Sequence, residues 1–464
     1  MTLLRSGRVV TPDGVLDGAA LRIDGETIAD VGALEPVRGE DVLDCSGCLV
    51  LPGGVESHCH LDLEAGDEVT ADDFATGTRA ALAGGTTTVI DFATQFHGQS
   101  LATGFDRWST KATGRAVTDF AFHLAMTQWC EDFPDQMAAM VQRGVTSFKL
   151  YMAYRDTMMV GDDEILAALT ASRGLGATIG FHCENGLLVD ALRKAALAAG
   201  HTTPHFHAAT RPAVLEAEAV DRLEVIAGMA GAPHYVVHLS SAAGLDAVRR
   251  GRGSGNTVAA ETCPQYLLLD VSAYGGPDDD DLGARAYVMS PPLRTAADRD
   301  ALWAGLAEGE VQFVGTDHCS FDLVGQKDAA ADFAHVPNGI PGIELRMALL
   351  YSEGVAAGRL GLERFAEVTA TNAARYFGLY PRKGALVPGA DADVLVLDPA
   401  ARWTVTHAAL HENVDHTPYE GVPVQGRVRD VFLRGRHAVV GGRLADDLPP
   451  GRYLPCGAPD TEVR

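Results

Sequence analysis

Eight short apolar, β-rich runs recur between residues 50 and 317, and helix-length segments separate most of them. The runs are 50–60, 87–93, 119–126, 146–153, 178–184, 235–241, 257–263 and 311–317. Strands alternating with helical stretches define repeated βα units and a parallel sheet. The clearest helical stretches are 72–82, 162–172, 211–229 and 296–306, with Pro212 just inside the third, where a proline suits a first turn. Eight such units over about 320 residues predict a (β/α)8, TIM-like barrel with insertions.

The chain ends follow another rhythm. Short alternating segments separated by Gly and Pro turns fill 3–10, 19–23, 27–31 and 41–50, and they return at 392–397, 428–433 and 437–440. This is the pattern of a hairpin-rich sheet. The simplest arrangement is a discontinuous β-sandwich domain from 1–53 and 385–442, with the barrel inserted as 54–384. A weakly patterned, Gly- and Pro-rich arm (443–464) remains and could pack on a neighbouring copy.

A formal net charge of -25 argues against nucleic acid and anionic membranes as partners. No apolar run is long enough to span a bilayer, and the first residues lack a signal-peptide core, so a cytoplasmic enzyme is expected. Eight cysteines in 464 residues do not make a disulfide framework. Cys45 and Cys48 form a lone CxxC without a partner pair, which is a weak metal or redox signal.

The chemistry concentrates at strand ends, where barrels of this kind place their sites. His58 and His60 end the first run, Lys149 lies in the fourth, His182 ends the fifth, and His238 and Asp317 close the sixth and eighth. An HxH on a strand puts both imidazoles on one face, within reach of one metal. A lone strand-end histidine is more often a hydrogen-bonded core residue, but the set from five strands on one rim points to metal. Lys149 is one of only five lysines (with Lys111, Lys194, Lys327 and Lys383) and sits in the apolar stretch Ser147-Phe148-Lys149-Leu150-Tyr151. A lysine there either snorkels to the rim or pairs with a carboxylate. Alternatively, burial favours the neutral amine, which carbon dioxide can convert to an anionic carbamate that bridges metals.

These motifs resemble the amidohydrolases in their hydantoinase and dihydropyrimidinase form. The likeness rests on Pro52-Gly53-Gly54-Val55-Glu56-Ser57-His58-Cys59-His60-Leu61-Asp62, Gly84-Gly85-Thr86-Thr87-Thr88, His182-Cys183-Glu184-Asn185 and Glu261-Thr262-Cys263-Pro264. It continues through Met289-Ser290-Pro291-Pro292, Gly315-Thr316-Asp317-His318-Cys319 and Val336-Pro337-Asn338-Gly339, in order along essentially the whole chain.

The resemblance implies two divalent ions per subunit, zinc foremost. His58, His60 and Asp317 would hold the more buried ion and His182 and His238 the other, with Lys149 bridging as N6-carboxylysine. Tyr154 would donate to the oxyanion, and Ser290 and Asn338 would hold the ring amide, largely through backbone groups. Metal-assisted attack by water on the ring carbonyl, with Asp317 as base and then acid, would open a cyclic ureide to an N-carbamoyl amino acid. The resemblance also implies a homo-oligomer, tetramer or dimer.

Departures narrow the substrate. Dihydroorotases usually carry an arginine two residues after HxH, where this chain has Asp62, and the Asn-Glu-Pro-Gly run of allantoinases is replaced by Leu61-Asp62-Leu63-Glu64-Ala65-Gly66. Small Ala65 predicts a pocket lip of Leu63, Ala65, Tyr151 and Met158 that is wider on one side. The competing readings are an allantoinase- or dihydroorotase-like cyclic amidohydrolase and a non-catalytic dihydropyrimidinase-like scaffold; such scaffolds lose metal ligands that this chain keeps. His201, His205 and His207 are expected to be structural, His123 and His318 to lie near the site, and the aspartates of 278–281 to form a solvated loop without EF-hand spacing.

Overall fold

The computed structural model of the protein describes residues 1–279 and 281–463. Each predicted run contributes one strand to a parallel sheet: β1 (Gly54–Cys59), β2 (Thr86–Gln95), β3 (Asp119–Met126), β4 (Ser147–Tyr151), β5 (Thr178–His182), β6 (His234–Val236), β7 (Val258–Thr262) and β8 (Phe313–Val314). The strands neighbour one another in chain order. A bridge between Cys59 and His318, with the His60 amide donating to the His318 carbonyl at 2.8 Å, joins the two ends into a barrel. Every residue of the eight strands is buried, because the interior and the helical coat cover both faces; hence the continuous apolar runs.

The helices form where their caps allow. Phe74–Ala83 starts at Asp73, whose carboxylate accepts from the Ala75 and Thr76 amides, and Ala296–Ala307 starts at Thr295. Asp162–Leu175 and Ala213–Ala230 complete the expected set, with Pro212 one residue before the last. No helix among the described residues is long and apolar enough to cross a membrane.

The run 50–60 is two strands. Leu49–Pro52 belongs to a second, nine-stranded sheet, and the chain changes sheets at Gly53 and Gly54. A Cβ at Gly53 would meet the Thr87 hydroxyl at 2.3 Å, so this crossing requires glycine. The chain ends pair directly: Leu49–Pro52 runs antiparallel to Val394–Thr404, with Leu51 opposite Leu395. This sheet, the second domain beside the barrel, extends to Leu444, two residues past the expected boundary at 442.

The C-terminal segment, read from sequence as an arm that could pack on a neighbouring copy, packs on its own barrel. Its Leu454 amide donates to the Phe120 carbonyl at 2.7 Å and its Cys456 amide to Gly144 at 2.8 Å. Leu454 and Cys456 are buried against Val55, Phe313 and Phe377 at the floor, the face opposite the strand ends that carry the site. Arg464 lies outside the described residues.

Beside that floor, Lys383 joins the two domains. Its Nζ lies 2.6 Å from Asp119 of β3, 2.9 Å from Asp391 and 2.8 Å from Asp393, all nearly shielded from water. Removing one partner from a buried ion cluster leaves uncompensated charge. Lys383→Met is therefore expected to cost about 3–5 kcal/mol of unfolding free energy; a loss below ~1 kcal/mol in denaturant titration would show the cluster to be dispensable.

Candidate metal centre

Six donor groups meet at the C-terminal mouth of the barrel. His58 and Lys149 come from within β1 and β4, and His182 is the last residue of β5. His60, His238 and Asp317 stand just past the ends of β1, β6 and β8. His238 (φ 39°) and Asp317 (φ 51°) adopt left-handed backbone, as does Tyr154 (φ 65°). Such conformations cost energy in non-glycine residues and gather at functional sites.

One Asp317 oxygen lies 3.0 Å from His58 Nε2 and 3.1 Å from His60 Nε2. These three residues bring ligand atoms within 4.8 Å of one another. The His182 and His238 rings meet at 4.6 Å between centroids, and His238 lies 5.4 Å from His58. Lys149 Nζ sits between the two groups, 3.0 Å from His58 Nε2 and 4.3 Å from the Phe92 ring centre.

Burial holds three of the four imidazoles in the neutral form that ligates metal: His60 is pushed down to about 4, and His182 and His238 are also lowered. His58 is the exception: burial and Lys149 lower it, but Asp317 and Glu261 outweigh them and raise it. Burial lowers the Lys149 ammonium too, only partly opposed by Asp317 and Glu261. Burial would raise Asp317, but His58 and His60 outweigh it, so the carboxylate stays ionised.

Two carboxylates orient the ligands, and sequence reasoning assigned them no role. Glu261 lies 2.5 Å from His58 Nδ1, accepts from Ser57 at 2.7 Å and so aims His58 Nε2 at the centre. Glu184 holds His182 Nε2 at 2.8 Å and is itself held by Arg211 at 2.9 Å, which leaves His182 Nδ1 facing the centre. Such outer partners fix tautomer and ring orientation. The available signal was an acidic residue two positions after a strand-end histidine, as in His182-Cys183-Glu184.

The donors fit a divalent metal. Imidazole nitrogen and carboxylate oxygen suit zinc and its neighbours. The Nδ1 atom of His238 is buried without a hydrogen-bond partner, a cost that hydrogen-bonded core histidines avoid.

A cleft of about 730 Å³ opens above the centre, lined by His60, Lys149, His182, His238 and Asp317 at its base. The predicted lip residues Leu63, Ala65, Tyr151 and Met158 all line it. Phe96, Phe321 and Met289 add apolar wall that sequence reasoning missed, although Phe96 lies one residue past the end of β2. Across from them, Ser290 donates to the Asn338 side-chain oxygen at 2.9 Å and hydrogen-bonds Tyr154. Burial raises the Tyr154 hydroxyl, which therefore keeps its proton and can donate.

The remaining sequence candidates lie elsewhere. His318 is turned away, its Nε2 on Asp72 at 3.1 Å and its Nδ1 accepting from the Gly342 and Ile343 amides. His123 lies beneath the centre, bonded to Ser147 and to the Ser57 carbonyl. His207 bonds the Met289 carbonyl at 2.7 Å, His205 bonds Gly275, and His201 stacks on Phe206. Asp278, Asp279 and Asp281 are exposed; Asp280 lies outside the described residues. Cys45 and Cys48 are buried thiols beside Arg429, and burial pushes Cys45 up to about 12, far from a reactive thiolate.

A parallel barrel with imidazole and carboxylate donors at its strand ends defines a metal-dependent hydrolase of the barrel type. The profile of the amidohydrolase family matches residues 49–438. The D-hydantoinase of Geobacillus stearothermophilus is 42% identical over 97% of this chain and 96% of its own length. That of Streptomyces coelicolor is 42% identical over 98% and 97%. Among solved structures, the dihydropyrimidinase of Brevibacillus agri superposes with a TM-score of 0.95 at 40% identity, covering 98% of this chain and 99% of that one. The L-hydantoinase of Arthrobacter aurescens gives 0.87 at 26% identity, covering 97% and 99%. The chain belongs to the amidohydrolase family, in its hydantoinase and dihydropyrimidinase branch.

Proposed function

We propose that the protein is a binuclear metal-dependent cyclic amidase that opens dihydropyrimidines or 5-monosubstituted hydantoins to N-carbamoyl amino acids. The observation that carries this reading is the convergence of six donors beneath the edge formed by Tyr154, Ser290 and Asn338. His58, His60 and Asp317 would hold one ion, His182 and His238 the other, and Lys149, as N6-carboxylysine, would bridge them. Two divalent ions held there would supply an acidified water and a Lewis acid for the ring carbonyl.

The residues supply the rest. The Tyr154 hydroxyl donates to the carbonyl oxygen as charge develops on it. Asp317 accepts the proton of the attacking water and returns it to the departing ring nitrogen. Backbone groups of Ser290 and Asn338 hold the ring amide, and the apolar wall of Leu63, Phe96, Tyr151 and Met158 receives the 5-substituent. The D enantiomer is the preferred one, in keeping with the 42% identity to D-hydantoinases against 26% to an L-hydantoinase. The enzyme works as a cytoplasmic homo-oligomer, tetramer or dimer, whose size light scattering measures.

An acidic ring is disfavoured. Asp62 faces Lys111 and Arg115, each at 3.7 Å, away from the cleft, so no arginine stands where a substrate carboxylate would need one. Dihydrouracil or a 5-monosubstituted hydantoin should therefore be opened about 10- to 100-fold faster than dihydroorotate, the range a lost charged hydrogen bond supports. Allantoin should also be slow. A panel led by dihydroorotate or allantoin would overturn this reading in favour of another cyclic amidohydrolase.

A further inference from the structure

The ring side of the cleft is built from two irregular segments, 288–290 and 337–339, which lack a strand ladder to fix their spacing. They touch through the Gly339 amide, which donates to the Val288 carbonyl at 3.1 Å, and through Ser290 and Asn338. A third tie comes from outside. Lys327 Nζ donates to the Val288 carbonyl and the Pro337 carbonyl, both at 2.9 Å. These carbonyls lie two residues before Ser290 and one before Asn338.

Lys327 is wholly buried, and among the described residues both acceptors of its Nζ are backbone carbonyls. Burying an amine this way is costly, and an apolar side chain of similar length would avoid the cost. Burial pushes the ammonium down to about 7. The neutral amine still has two N–H groups, one for each carbonyl.

Its neighbour grips the opposite wall. Gln326 donates to the Glu68 carboxylate at 2.6 Å and to the Val69 carbonyl at 3.0 Å. Those residues form one strand of the small hairpin (Glu64–Ala65 with Glu68–Val69) at the lip of the cleft.

We infer that Lys327 is a positioning residue for the substrate ring: it clamps the Val288 and Pro337 carbonyls and so sets the spacing of Ser290 and Asn338, while Gln326 ties the lip to the same turn. The inference rests on the proposed role of Ser290 and Asn338 in holding the ring amide. It separates the two residues by substrate. Every substrate shares the ring, whereas only a bulky 5-substituent reaches the lip.

The test uses Lys327→Met and Gln326→Met in the full-length metal-loaded enzyme, with hydantoin and a 5-aryl hydantoin. Lys327→Met should raise KM about 10-fold or more for both rings with kcat and metal content unchanged, the signature of lost binding rather than lost chemistry. Gln326→Met should raise KM for the aryl substrate and leave hydantoin within about twofold. If Lys327→Met does not fold, Lys327→Gln, which keeps one donor, carries the same test with a smaller rise. A folded Lys327 variant with wild-type KM for both rings overturns the inference, even if its melting temperature falls. Wild-type protein that opens neither ring would instead overturn the proposed function.

Discussion

Replacing Asp317 by asparagine is expected to lower turnover by at least the ~10²–10⁴-fold that a general base supplies, with metal content close to wild type. Asparagine keeps the size and one oxygen ligand but cannot accept a proton. As a ligand, Asp317 would share its work with His58 and His60, whose Nε2 atoms stand 3.0 and 3.1 Å from its oxygen, so its loss need not empty the centre. As a proton carrier it has no visible substitute. His318 is locked between Asp72 and two backbone amides, and His123 is tied to Ser147 and the Ser57 carbonyl beneath the donor cluster. Metal analysis beside steady-state kinetics decides the matter. Metals lost in step with activity would make Asp317 chiefly a ligand.

Lys149→Ala is expected to abolish both the metal pair and activity, and short carboxylic acids such as acetate should restore part of each. Lys149 Nζ stands 3.0 Å from His58 Nε2, at the junction of the two ligand groups. A permanent ammonium there would repel divalent cations. Burial lowers its pKa, and the neutral amine that results is the form that reacts with carbon dioxide. The carbamate would place two oxygens where a small free carboxylate could substitute once the side chain is removed. A variant with two metals and near-normal turnover without additives would contradict the bridge.

The barrel was legible in the sequence because strands buried on both faces leave uninterrupted apolar runs. The metal-site candidates were legible because their chemistry sits at the ends of those runs. What was hidden depends on tertiary contact. The switch between sheets at Gly53 reflects the approach of Thr87, and the residues on both sides are equally buried strand. The pairing of Leu51 with Leu395 joins segments with no local signal for each other. The Gly- and Pro-rich C-terminal segment carries no periodicity, yet it covers the barrel floor through backbone bonds to Phe120 and Gly144. Lys327 escaped notice for a related reason: its partners are carbonyls, and a carbonyl has no residue identity to read.

The central claim is a two-metal centre that opens a neutral cyclic ureide. Its most direct test is to strip the protein with a chelator and return zinc stepwise, measuring turnover of dihydrouracil or a 5-monosubstituted hydantoin at each step. The account predicts that stripped protein is inactive and that activity rises to a plateau at two equivalents per chain. Full activity in metal-free protein would contradict it, and a plateau at one equivalent would contradict the binuclear assignment.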